Sequence, residues 1–68
     1  MTDDRFDELV MWAMRLACDV TGTAARREDY GQIFSDILRH LIDNENQGER
    51  REPIKEDVCN LGYVHIVN

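Results

Sequence analysis

The sequence predicts a mainly α fold: a hairpin of two long antiparallel helices, a short third helix and a C-terminal β segment, assembled as a dimer. Three observations carry this expectation. Tyr30, Ile33, Phe34, Ile37, Leu38, Leu41 and Ile42 recur at the i, i+3, i+4, i+7 spacing of an amphipathic helix, with Gln32, Ser35, Asp36, Arg39, His40 and Asp43 opposite them. Upstream, Phe6, Leu9, Val10, Ala13, Leu16, Ala17 and Val20 form a second stripe at the same spacing. Between the two lies only the stretch Thr21 to Thr23, a connection so short that the helices must return antiparallel, stripe against stripe.

The first helix is expected over residues 4–20. Thr2 or Asp3 can cap its start, and the early carboxylates favour the positive end of the helix dipole. Gly22 can take the left-handed conformation beyond its last turn. The second helix is expected over residues 24–45 with Thr23 as its N-cap. Gly31 costs about 1 kcal/mol relative to Ala in a helix interior, so the alternative is a short turn over Ala24 to Glu28 and a restart near Asp29.

Residues 46–52 contain no apolar side chain and include Gly48, so they read as a solvated linker. A third helix is expected over 53–61, with Pro53 at its first position, Ile54, Val58 and Leu61 on one side, and Gly62 as its stop. The β-branched and aromatic ending, residues 63–67, reads as a strand whose backbone groups need a partner, within the chain or in another.

Size bounds the stability of this arrangement. A domain of 68 residues buries only about 60% of the surface its unfolded chain exposes, and small domains add disulfides, metals or partner subunits. With 43% hydrophobic and 32% charged residues the composition is that of a globular chain. Cys18 and Cys59 are widely separated, and acids stand where the basic part of a signal peptide would be, so the expected compartment is the cytoplasm with both thiols reduced. No apolar run approaches the roughly 20 residues of a membrane span.

A net charge of −6 argues against direct nucleic-acid binding and for a protein partner, a basic one in particular. The doublets Arg26-Arg27 and Arg50-Arg51 are each neighboured by acids, and the exposed side of the second helix carries Asp36 and Asp43 where a DNA reader would be basic. Cys18, His40, Cys59 and His65 are zinc-ligand types, but their spacing fits none of the usual sites. Cys59 with His65 is the nearest approach to a nucleophile and base, in a chain too small to enclose a substrate pocket. The expectation is therefore no enzyme, no cofactor and no metal.

Two surfaces remain as sites. Met11, Trp12, Met14 and Cys18 lie off the main stripe of the first helix, and a cluster of thioethers beside Trp is suited to a partner or dimer contact. Tyr63 and His65 of the β segment join them as contact residues. The acidic residues Asp3, Asp4, Asp7, Glu8, Glu28 and Asp29 could imitate phosphate charge and occupy a basic groove. The functional expectation is a small protein-binding module, a regulator or inhibitor of a host protein of the accessory kind that phages and mobile elements encode. The alternative is a dimeric DNA-binding transcriptional regulator.

Overall fold

A computed structural model describes residues 2–23 and 25–62. The expected β segment, with Tyr63 and His65, lies outside them. The described part is helical: α1 (Asp3–Val20), a single 3-10 turn (Arg27–Asp29), α2 (Tyr30–Asn46) and α3 (Lys55–Asn60). The two long helices pack together as the expected hairpin, and α3 lies against α2.

Thr2 caps α1, its hydroxyl accepting a hydrogen bond from the Arg5 amide at 3.2 Å. The other end of the helix differs from expectation. Thr23 does not cap α2: its hydroxyl donates to the Asp19 and Val20 carbonyls at 2.9 and 3.2 Å, satisfying acceptors that the last turn of α1 leaves open. Gly22, at φ +83°, reverses the chain there, and its amide donates to the Ala25 carbonyl while the Ala25 amide donates to Val20. With Thr23 held back, α2 cannot begin at residue 24. It begins at Tyr30 after the 3-10 turn, close to the alternative restart, so Gly31 falls in the first turn rather than the interior.

The packing of the hairpin follows from two contacts at its ends. Arg5 donates through Nε and Nη2 to one Glu45 carboxylate oxygen at 3.0 and 2.8 Å, and the Cys18 thiol donates to the Tyr30 hydroxyl at 3.8 Å. Proceeding inward from Arg5 and Glu45 by four residues at a time brings Leu9 level with Leu41, Ala13 with Ile37, and Ala17 with Ile33. All six are at most 3% exposed. The helices therefore meet along one i, i+4 row each, Ala13 and Ala17 leaving room for the two isoleucines. Val20, Leu16 and Val58 complete the buried cluster.

Beyond α2 residues 46–52 are all exposed, as their composition suggests, and ion pairs tie them to the helices. Gly48, at φ +85°, ends the helix, with the Glu49 amide donating to the Asn44 carbonyl at 2.8 Å. Arg50 then reaches Glu45 at 3.3 Å, and Arg51 makes a two-pronged bond to Asp57 at 2.8 and 3.0 Å. The third helix starts two residues later than expected. Pro53 is buried ahead of it, and Ile54 stands outside the helix in extended backbone because its amide donates to the Asp57 carboxylate at 2.8 Å. The side chain of Ile54 is consequently exposed, while Val58, with Cys59 packed beside it, carries α3 into the core.

Candidate functional site

The first-helix stripe of seven residues does not act as one surface. Leu9, Ala13 and Ala17 face α2, whereas Leu16 turns toward Pro53 and lines, with Trp12 and Ile54, an open cleft of 380 Å³. Phe6 and Val10 go to neither place. They start a row continued by Met14 and Cys18, offset by one residue from the buried row and lying along the edge of the α1–α2 contact. Phe6 is 41% and Met14 45% exposed, and Cys18 is exposed.

A matching row runs along α2. Tyr30, Phe34, Leu38 and Ile42 are each half-buried, packed on the core from one side and open on the other. The Cys18–Tyr30 contact places the two rows side by side. Stepping by four from that contact pairs Met14 with Phe34, Val10 with Leu38 and Phe6 with Ile42, each within about two residues, roughly 3 Å, of the levels set by Arg5 and Glu45. Tyr30 and Phe34 stack with ring centroids 6.4 Å apart and planes 8° from parallel, which keeps the α2 row flat. The result is an uncharged apolar face made by four side chains from each long helix, about 18 Å long.

On the other side of the hairpin, beside the Leu16 cleft, polar side chains engage one another. Asp57, buried, accepts from Arg51 and the Ile54 amide and stands 3.6 Å from His40 Nε2, tying the linker, α3 and α2 together. These partners hold its carboxyl below the usual range, Arg51 contributing most and burial opposing. The hydrogen bond from Arg5 lowers Glu45 in the same way, helped by the charges of Arg5 and Arg50 and opposed by burial. Arg5 also bonds Glu8 and lies 5.0 Å from the centre of the Trp12 ring.

A pH dependence follows. An acid whose folded pKa lies below its unfolded one stabilises the fold above the unfolded value and loses that contribution as pH falls through the folded one. The ordinary values of the two side chains are 3.8 for Asp57 and 4.5 for Glu45, so Tm is expected to be insensitive to these two groups at pH 6 to 7 and to fall steadily below about 4.5. Thermal melts across that range check it. Asp57→Asn should lower Tm at neutral pH and flatten the acid limb; an unchanged limb would show that Asp57 is not responsible.

The expected contact residues are thus divided. Met14 and Cys18 belong to the apolar face. Met11, 60% exposed, points outward from α1, and Trp12 lies under Arg5 beside the Leu16 cleft. The expected acidic residues are also parted: Asp3, Asp4, Asp7 and Glu8 are on the first turns of α1, whereas Glu28 and Asp29 lie in the turn at the opposite end of the hairpin. Glu8 bonds Arg5, and Glu28 bonds Arg26 at 3.3 Å. The sequence reading misses the face because it assigns Phe6, Val10 and the α2 row to the core. The signal available was that both helices carry more apolar rows than one helix contact can bury. No helix among the described residues is long and apolar enough to cross a membrane. No family model, curated protein or solved structure matches the chain.

Proposed function

We propose that this chain is a small, non-enzymatic protein-binding module, a regulator or inhibitor working in the cytoplasm, that docks through the face of Phe6, Val10, Met14, Cys18, Tyr30, Phe34, Leu38 and Ile42. The observation that carries the reading is the pairing of two i, i+4 apolar rows, one on each long helix, none of whose eight side chains is charged. A groove between two helices takes another helix through anchors at i, i+3 or i+4 and i+7, and Met and aromatic side chains adapt well to such a contact. Tyr63 and His65 stay in the proposal on their sequence alone, as a β segment extending the contact.

The rival readings draw less support. Acidic mimicry of phosphate calls for one continuous surface, and the acidic residues sit at both ends of the hairpin with Glu8 and Glu28 bonded to arginines. DNA binding by a dimer would use the Arg doublets, of which Arg26, Arg50 and Arg51 are paired with acids. The test is site-specific photocrosslinking of the full chain in the cell that makes it. A photoreactive residue at Leu38 should give a discrete crosslinked product, and one at Ser35, exposed on the far side of α2, should not. Equal products from the two positions, or none from Leu38, would overturn the reading.

A further inference from the structure

We infer that the occupant of the apolar face is an amphipathic helix of another protein, with lysine or arginine at the end that lies over the first two turns of α1. This rests on the docking face proposed above and names the chemistry of its partner. The shape of the face sets the element. Two rows on neighbouring helices, whose axes lie about 8 to 10 Å apart, leave a shallow trough between them, and a trough about 18 Å long matches about 12 residues of helix. Such a helix presents apolar side chains at i, i+3 or i+4 and i+7, in step with the one-turn spacing of Phe6, Val10 and Met14 on one wall and Ile42, Leu38 and Phe34 on the other.

The acids at one end of the face set the charge of that helix. Asp3 and Asp7 stand two helical turns before Val10 and Met14 at i, i+7 spacing, so they share their side of α1 and bound the trough at its Phe6–Ile42 end. Both are exposed, and neither has an ion pair among the described residues. Asp4 adds a third acid to the first turn. The cations that share a hollow with Asp4 are already engaged, Arg5 with Glu8 and Glu45 and Arg50 with Glu45. At the opposite end of the hairpin Arg26, Arg27, Glu28 and Asp29 sum to no net charge, and Arg26 is paired with Glu28. The charge bounding the face is therefore lopsided, and a helix with its cations at one end is held in one direction. The net charge of −6 draws the same partner from a distance.

The experiment uses the full chain and two capped synthetic peptides of about 14 residues with leucines at i, i+3, i+4 and i+7, one ending in two lysines and the other in two glutamates. Fluorescence anisotropy in roughly 0.15 M salt should give the lysine peptide a Kd on the order of 100 μM, since a contact of about 700 Å² in all belongs to the weak class, and the glutamate peptide one about tenfold weaker. Asp7→Asn should weaken the lysine peptide about twofold. Asp7→Lys should weaken it about three- to tenfold and strengthen the glutamate peptide, an exchange that neither a loss of fold nor a difference in peptide helicity produces. Equal affinity of the two peptides, an unchanged preference in Asp7→Lys, or no binding of either at about 1 mM would overturn the inference. So would a mass of twice 8.0 kDa in sedimentation that the lysine peptide leaves unchanged, which would give the face to a second copy. The docking face itself is read separately: a chain that binds neither peptide but still crosslinks a protein through Leu38 retains the proposed function and loses only the basic helix as its occupant.

Discussion

Replacing Ile37 by Ala is expected to unfold most of the protein at 25 °C. Ile37 is 1% exposed at the middle of the buried row, level with Ala13. The methyl group of Ala13 cannot reach into the space, so the substitution leaves a cavity as well as removing apolar surface from the core, at a cost of about 2 to 5 kcal/mol. A single core in a chain this small supplies only about 3 to 5 kcal/mol of net stability. Far-UV circular dichroism with urea titration checks it: the helical signal should be largely lost without denaturant. Ile37→Val, which removes one methyl group, should cost about 0.5 to 1.5 kcal/mol and leave a folded protein with an earlier midpoint. A cooperative transition for Ile37→Ala at the wild-type midpoint would show that this row is not the core.

The second large effect concerns binding with the fold intact. Met14→Glu places a carboxylate in the middle of the apolar face, at a side chain already 45% exposed, so the helical signal and Tm should change little. Association through the face should weaken by about 30-fold or more, the scale of losing a central anchor at an interface and burying an unpaired charge in its place. Met11→Glu, on the outward row, is the comparison and should cost far less. Crosslinking through Leu38 reports it. If Met11→Glu matched Met14→Glu, the contact would run along the outer side of α1 rather than across both helices.

These two residues mark how far the sequence could be followed. Periodicity located the first helix to within one residue, placed the start of the second six residues too early, and identified Ile33, Ile37 and Leu41 as core, because a helix with a polar back has only one side to bury. It failed at the helix junction, where Thr23 and Ile54 were assigned by residue type. A threonine hydroxyl can accept a hydrogen bond from the helix after it or donate to the helix before it, and Thr23 does the second. Pro53 fits a first helical position, but the bond from the Ile54 amide to Asp57 holds Ile54 outside the helix. That bond is the local reach of a carboxylate at the third helical position back to the N-cap amide, and Arg51 holds the same carboxylate in place.

The candidate site was half legible. Met14 and Cys18 were singled out as surplus to the core, while Phe6, Val10 and the row from Tyr30 to Ile42 were counted as satisfied. What the sequence by itself determined is the set of apolar rows, since side chains four apart on a helix necessarily share a side. Which rows meet was decided only in the tertiary structure. Two helices touch along one line, and here Ala13 and Ala17, small enough to admit Ile37 and Ile33, together with the Arg5–Glu45 pair at the end, select the row from Leu9 to Ala17 for that line. The row from Phe6 to Cys18, identical in period and no less apolar, is thereby displaced to the edge, where the α2 row from Tyr30 to Ile42 meets it.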